Sequence, residues 1–286
     1  MQAPRARLLR HESAAGSWEL AVRAPAPALR DQVRGDYVGY VESTPGLVQR
    51  REFAAPFTVV IFELGPPLRL RDPDDAGGGS RHAAGFVAGI SDHATLTEHD
   101  GRASGIQVDL TPLGARLLCD APICELAGRI VAVDDLLPRE HRRFSERLAE
   151  APDWDARFTL LDQLLQERRA SARACPRKIA WALARIEAAG GQLDIGDLAR
   201  ELGHSPKYLI AQFREHIGLA PKLTAQLVRF DRVVHHIRRG GRERWAELAQ
   251  RFGYFDQAHL VRDFRRFTGL TPTAARASLS PWPVDP

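Results

Sequence analysis

The sequence predicts an α+β protein with a strand-rich first part and an all-helical last part. From Trp18 to Leu110, short apolar or β-branched segments alternate with clusters of Pro, Gly and Asp, as in small β-domains. After Thr111 the apolar residues recur at helical spacing, and the last third of the chain contains an internal repeat of two helices. A chain of 286 residues is long enough for two domains of ordinary size.

Eight short strands are expected in the first part, and this number and spacing predict a small antiparallel barrel or a sandwich. The segment Asp72–Ser80 (DPDDAGGGS) between two of them is expected to be an exposed loop. The expected strands are Trp18–Arg23, Tyr37–Val41, Gly46–Phe53, Phe57–Leu64, Leu68–Arg71, Gly85–Ile90, Ala94–His99 and Ile106–Leu110.

Four helices are expected after the strands, at Pro112–Cys119, Ile123–Arg129, Pro138–Ala149 and Asp153–Arg169. The last has an apolar stripe that fits two roles equally well, a dimer contact or packing on its own barrel. The polar stretch ERRASARACPR that follows has no core-facing pattern. We therefore expect a first domain over residues 1–169, a linker over 170–176 and a second domain over 177–278.

The charge is distributed unevenly along the chain. The net charge is +4, but residues 1–170 hold 21 basic and 25 acidic side chains, whereas residues 171–286 hold 19 and 11. A basic second part indicates that this part alone meets a polyanion. Residues 1–10 lack the apolar core of a secretory signal, and the longest apolar run is too short to cross a bilayer, so residence in the cytoplasm, in association with the nucleoid, is expected.

No catalytic or cofactor motif stands out, and neither an enzyme nor a bound cofactor is expected. Three cysteines without a Cys-x-x-Cys pair favour neither disulfides nor a zinc site, and Cys119 is expected to be a small apolar helix residue. His82, His93 and His99 lie in the strand region but lack the close pairing of a metal site, so no metal is expected.

The prediction of function rests on the internal repeat in the last third of the chain. Leu198-Ala199 and Gly203 in the first copy correspond to Leu248-Ala249 and Gly253 in the second, at an offset of 50 residues. After the glycine the offset is 51, so the second copy has one extra residue in its turn. Each copy reads as a helix, a glycine turn and a second helix, with Ser205 and Asp256 as the caps of the second helices. The apolar pairs Leu209/Phe213 and Leu260/Phe264 face inward.

Two helix-turn-helix units in one basic domain predict binding to double-stranded DNA. Pro221–Arg238 joins them, and eighteen helical residues span about 27 Å. Such a spacer can hold two reading helices in successive major grooves, about 34 Å apart on one face of the duplex.

These residues resemble the AraC/XylS family of bacterial transcription regulators over roughly residues 177–276. The most specific stretch is Leu248–Pro272 (LAQRFGYFDQAHLVRDFRRFTGLTP), and Arg229-Phe230 with Val233 matches the connecting helix, although Phe and Val replace the usual Leu and Ala. The resemblance implies a seven-helix DNA reader in two subdomains. It also implies a cupin-like first domain that senses a ligand or mediates dimerisation.

The second helix of each copy is expected to supply the DNA contacts. Gln257 can pair with adenine and Arg262 with guanine, whereas Ile210 and Ala211 can read only shape or a thymine methyl. Arg229, Arg265, Arg266 and Arg200 are expected at phosphates. The expected DNA-contacting residues of the helices themselves are Lys207, Ile210, Ala211, Arg214, Gln257, Ala258, His259, Val261, Arg262, Arg265 and Arg266.

The leading hypothesis is a sequence-specific transcription regulator that responds to a small-molecule effector in its first domain. A homodimer is an expected form, and RNA polymerase is an expected partner if the protein is an activator. Two alternatives stay open: a ligand-independent regulator whose first domain only oligomerises, and a DNA-binding module fused to a barrel enzyme.

Overall fold

The structure is a computed structural model that describes residues 5–73, 79–82, 84–118, 123–137, 143–172 and 174–279. In this part of the chain, strands precede helices, and the strands form two antiparallel sheets. The larger sheet has the order β1-β2-β3-β9-β5-β7-β10, and the smaller has the order β4-β8-β6. The strands are β1 (Arg7–Ser13), β2 (Gly16–Arg23), β3 (Tyr37–Ser43), β4 (Val48–Glu52), β5 (Thr58–Glu63), β6 (Arg69–Arg71), β7 (Phe86–Ala88), β8 (Thr95–His99), β9 (Arg102–Leu110) and β10 (Ile130–Ala132).

The larger sheet is covered on both faces because its central strands carry apolar residues at successive positions. On one face, Tyr40 and Phe86 pack with Leu70 of the smaller sheet. On the other face, Phe62 and Ile106 pack against three helices that follow the strands. These helices are α1 (Val133–Leu136), α2 (Phe144–Glu150) and α3 (Trp154–Ser171).

Helix α3 is held on this sheet by its buried Asp162. The Asp162 carboxylate accepts hydrogen bonds from the Tyr37 hydroxyl (2.9 Å) and from the Ala26 amide (2.8 Å), and it forms an ion pair with Arg23. Phe158 on the same helix is fully buried. The apolar stripe of α3 thus packs on its own domain, the second of the two roles considered, and is not a free dimer surface.

The eight predicted strands are all present, and two further strands were not predicted. Strand β1 is rich in charged residues, and β10 has only three residues, so neither has a periodic pattern. The prediction of α-helices at Pro112–Cys119 and Ile123–Arg129 was wrong. Short 3-10 helices occupy Gly114–Leu117 and Ile123–Glu125 instead. Gly128 has a left-handed backbone (φ 68°), which ends the second segment early. Cys119 and the start of the helix predicted at Pro138–Ala149 lie outside the described residues.

Seven helices make up the second part of the described chain. They are α4 (Arg177–Ala188), α5 (Ile195–Glu201), α6 (Pro206–Ile217), α7 (Pro221–Arg238), α8 (Trp245–Arg251), α9 (Gln257–Thr268) and α10 (Pro272–Ser278). They enclose two apolar cores, one around Phe213 and one around Phe264. Helix α7 belongs to both cores, through Val228 in the first and Phe230 in the second. The predicted α+β fold class is confirmed, and α7 is the rod that joins the two helical units.

Candidate nucleic-acid interface

Each helical unit presents its second helix through the cap and glycine turn that the sequence predicts. The Ser205 hydroxyl accepts a hydrogen bond from the Tyr208 amide (3.2 Å), and the Asp256 carboxylate accepts one from the His259 amide (2.7 Å). These bonds satisfy amides that would otherwise lack partners at the starts of α6 and α9. Gly203 and Gly253 take left-handed φ values of 69° and 74°, which a side chain would strain. The two units therefore share one local geometry.

The inner faces of α6 and α9 are locked by buried apolar residues. Leu209 and Phe213 on α6, like Leu260 and Phe264 on α9, are fully buried. Phe264 packs edge-on against the Phe230 ring of α7, with ring centroids 5.1 Å apart. Because these side chains fix the rotation of each helix, the opposite faces are held outward.

Most of the outward face of α6 is exposed in the described part of the chain. Lys207, Ala211 and Arg214 are exposed, whereas Ile210 is half-buried. The Tyr208 side chain is 44% exposed, and its ring lies against His204 with centroids 4.3 Å apart. Tyr208 was not among the predicted contact residues, although its place beside Lys207 in the first turn of α6 was visible in the sequence.

The outward face of α9 forms an open depression of about 510 Å³ lined by Gln257, Ala258, Val261, Arg262 and Arg265. The Arg262 Nε donates a hydrogen bond to the Ala258 carbonyl (3.3 Å), so this side chain lies along the outer surface of the helix. An amide, two guanidinium groups and two small apolar groups together offer the kinds of contact that base edges and phosphates accept.

His259 lies at the margin of this surface. It is half-buried, and its ring packs edge-on against Tyr254, with centroids 5.2 Å apart. Beneath it, burial raises the pKa of the Asp263 carboxyl, while the charges of His259 and Arg229 act in the opposite direction. His259 is thus partly engaged in packing the helix.

Three of the four predicted phosphate-contacting arginines have partners within the protein. The Arg229 guanidinium donates to the Gly191 carbonyl (2.7 Å) and lies over the Tyr254 ring, so it is placed among the helices rather than on the outer face of α9. Arg266 is exposed at the end of α9, but its Nη2 lies 2.6 Å from the Asp92 carboxylate of the first domain. Arg200 pairs with Asp197 on α5.

Among the described residues, the first domain contacts the helical domain beside the outward faces and leaves Lys207, Arg214 and Arg262 exposed. The Ala54 amide donates to the Phe267 carbonyl (3.0 Å), and Arg51 donates to the Thr268 carbonyl (3.2 Å). Arg34 and Asp231 form an ion pair at 2.6 Å between the first domain and α7. The described residues of the first domain therefore hold the C-terminal end of α9 and the connecting helix, away from the outward faces of α6 and α9.

Two like units with exposed, basic second helices on a shared rod define a DNA-binding protein of the helix-turn-helix class. A family profile described as "Helix-turn-helix domain" matches residues 198–278. This part of the chain is an AraC-type helix-turn-helix domain, as the sequence predicted. In the described residues, no helix combines the length and apolar character that a membrane span needs.

Comparison with solved structures extends the likeness to the fold of most of the chain. An apo form of ToxT from Vibrio cholerae is 8% identical to this chain. The two structures align over 87% of this chain and 100% of ToxT, with a TM-score of 0.51. The unsaturated fatty acid-bound ToxT is 9% identical over 83% of this chain and 97% of its own, with a TM-score of 0.46. The C-terminal domain of AraT, a response regulator from Geobacillus stearothermophilus, is 20% identical over 40% of this chain and 95% of its own, with a TM-score of 0.35. No curated protein matches the chain.

Proposed function

We propose that this protein is a sequence-specific transcription regulator that inserts α6 and α9 into adjacent major grooves of one duplex. The observation that carries the proposal is the pair of exposed outward faces on two like units that share α7. Arg262 and Gln257 on α9 supply hydrogen bonds to base edges. On α6, Lys207 and Arg214 supply charge, while Ile210 and Ala211 offer no side-chain hydrogen bond, so α9 is the more discriminating of the two helices.

Selection of bound sites from random duplex DNA tests this proposal. The full chain is expected to enrich two blocks of defined sequence whose centres lie about one helical turn, or 10 base pairs, apart. The block under α9 is expected to have the stronger sequence preference. A pool that remains random after several rounds at ordinary ionic strength would refute sequence-specific binding.

The first domain is proposed to sense a small-molecule effector. A cavity of about 360 Å³ lies between the smaller sheet and the β7–β8 connection. Leu70 and Ile130 give it an apolar wall, while His93 and Arg129 supply hydrogen-bonding and cationic groups. Asp72 also lines the cavity, and the lining residue Arg71 is paired with Glu98 at 3.0 Å, so Arg129 is the cation proposed to meet a ligand. A small carboxylate with an apolar body fits this combination of groups.

The same cavity has a physical connection to the reading helix α9. Ser91 and His93 line the cavity, and Asp92 between them pairs with Arg266 of α9. Ile90, one residue earlier, is buried within the apolar core of the second helical unit. An effector that moves the segment 90–93 would therefore change the position or freedom of the end of α9.

A thermal-shift screen with short aliphatic and aromatic carboxylates tests the effector proposal. A bound carboxylate is expected to raise the melting temperature and to change the Kd for selected DNA, and Arg129→Ala is expected to weaken both effects. If saturating carboxylates shift neither quantity, the carboxylate effector proposal is wrong, and the alternative of a first domain that only oligomerises is favoured. A homodimer and contact with RNA polymerase remain predictions.

A further inference from the structure

The second helical unit has one large apolar side chain with no packing role. Phe255 is 93% exposed and immediately precedes the cap residue Asp256 of α9. Burial of a phenylalanine is worth about 1.5–3 kcal/mol, so a ring left in water contributes none of this stabilisation. Packing within the described residues therefore does not account for its presence at this point.

The repeat shows that Phe255 is the extra residue of the second unit. The His204 amide donates to the Ala199 carbonyl in the first turn, and the Tyr254 amide donates to the Ala249 carbonyl in the second. These residues are therefore equivalent. In the first unit the cap Ser205 follows His204 directly, whereas Phe255 separates Tyr254 from Asp256 in the second.

The usual structural reason for an apolar residue at this position does not apply. A residue just before the cap often packs on the fourth residue of the helix, which here is Leu260. Leu260 is fully buried in the core with Phe264 and Phe267, while the Phe255 ring remains in solvent. The ring is thus not fastening α9 to its preceding turn.

The position of Phe255 favours duplex DNA as its partner. It lies at the N-terminal end of α9, next to the exposed Gln257 and Ala258 that line the depression on the outward face. Residues at the N-terminal end of a reading helix are those that approach base edges. In the major groove, the apolar group that a phenylalanine ring can contact is the 5-methyl of thymine.

We infer that Phe255 is a specificity-determining residue that contacts a thymine methyl at the edge of the block read by α9. This inference rests on the proposed DNA binding. The ring contributes no hydrogen bond, so its preference is for thymine over cytosine or uracil at one position. It would add apolar readout to the hydrogen bonds proposed for Gln257 and Arg262.

Thymine-to-deoxyuridine substitution tests the contact, because it removes only the 5-methyl group. Each thymine of the selected duplex is replaced in turn, and Kd is measured for the full-length wild type, Phe255→Ala and Phe255→Leu. For the wild type, one substitution is expected to weaken binding about three- to tenfold. Phe255→Ala is expected to bind the unmodified duplex more weakly by a similar factor and to be insensitive to that substitution. Phe255→Leu is expected to retain part of the sensitivity.

Leu47→Ala is the matched control, because Leu47 is 67% exposed and lies in the first domain. It is expected to change neither Kd nor the deoxyuridine profile. All variants are expected to have the same melting temperature as the wild type. If Phe255→Ala keeps the affinity and the full deoxyuridine profile of the wild type, the inference is wrong. The same holds if it weakens binding but every deoxyuridine effect persists, since the ring then contacts the backbone. Failure of the wild type to bind any duplex would instead overturn the proposed function.

Discussion

The Arg266 guanidinium at the end of α9 lies 2.6 Å from the Asp92 carboxylate of the first domain. The two residues are 174 positions apart in the chain. Burial opposes ionisation of Asp92, but its hydrogen bond and charge interaction with Arg266 outweigh this effect and lower its pKa. The Arg266 guanidinium, which could neutralise a DNA phosphate, is therefore paired with a residue of the domain proposed to sense an effector.

Replacing Asp92 by Asn is expected to free Arg266 for DNA. The pair is about half exposed, so it contributes at most about 1 kcal/mol, and the gain in affinity for random DNA is at most about fivefold. The slope of log Kd against log salt concentration is expected to steepen by about 1 if Arg266 gains a phosphate contact. Fluorescence anisotropy at several salt concentrations measures both quantities.

Asp100→Asn is the control for this charge change, because Asp100 is exposed and pairs loosely with Arg81 at 3.8 Å. It removes the same charge from the first domain away from the Asp92–Arg266 contact. If Asp92→Asn and Asp100→Asn raise affinity equally, the effect is one of net charge, and the contact has no specific role.

Arg262→Ala is expected to relax the preference at one base pair and to weaken specific binding by about 1–3 kcal/mol. The reason is the loss of a guanidinium held along the outer surface of α9. Arg265→Ala, on the same helix, is expected to weaken binding to specific and random duplexes alike, because a phosphate contact reads no sequence. Kd values on the selected duplex and its single-base variants separate the two. Equal losses on all duplexes for Arg262→Ala would show that it contacts only a phosphate.

The stability of the first domain is expected to fall as the pH rises through the range in which Glu63 titrates. Burial raises the pKa of this carboxyl to about 7, against which a hydrogen bond from the Leu68 amide acts. Because the folded pKa lies above the unfolded value of 4.5, the folded state binds more protons between these values, and ionisation costs stability. At pH 8 this cost is on the order of 3 kcal/mol, and it is absent at pH 4.

Glu63→Gln is expected to remove this part of the pH dependence and to stabilise the protein at pH 8. Urea unfolding at pH 5 and pH 8 measures the free energy difference for the wild type and for the variant. Glu12→Gln, at an exposed position on β1, is expected to behave like the wild type. Identical pH dependence in the wild type and Glu63→Gln would contradict the account.

Gly218 lies where α6 meets the first domain, and alanine there is expected to loosen the two domains. Its φ of 96° disfavours a side chain, and an added Cβ would lie 3.0 Å from Ile90 and 3.2 Å from Ala127. Gly203, with φ 69° and no neighbouring atom within 4 Å, is the matched control. Both substitutions incur strain of about 1–2 kcal/mol, and Gly218→Ala is expected to cost at least about 1 kcal/mol more. Thermal unfolding and limited proteolysis measure the difference, and equal effects would argue against a tight contact.

Much of the fold could be predicted from local patterns. The β-branched, aromatic or alternating segments that mark β2 to β9, and the caps and glycines around α6 and α9, are decided by residues close in sequence. Strand β1 exists because it pairs with β2 along its whole length, although its own residues alternate poorly. The 3-10 turns after β9 depend on close packing, since a Cβ at Gly114 would lie 1.9 Å from the Gln32 carbonyl.

The interface could be predicted in outline, because an inward pair such as Leu260 and Phe264 fixes which residues face outward. The interaction partners of individual arginines could not be predicted from the sequence. Arg229 and Arg266 look alike in the sequence, but one is held by Gly191 and the other by Asp92, and both partners lie far away in the chain. The sequence pattern also did not predict that an apolar side chain such as Phe255 would be exposed.

The spacing between the two blocks of the selected site is the sharpest test of simultaneous binding by α6 and α9, because α7 fixes the distance between these helices. Five base pairs inserted between the blocks turn one groove to the opposite face of the duplex. Affinity is then expected to fall to that of a duplex carrying the α9 block alone, and ten inserted base pairs are not expected to restore it. Undiminished affinity after the five-base-pair insertion would contradict simultaneous reading of adjacent grooves by one chain.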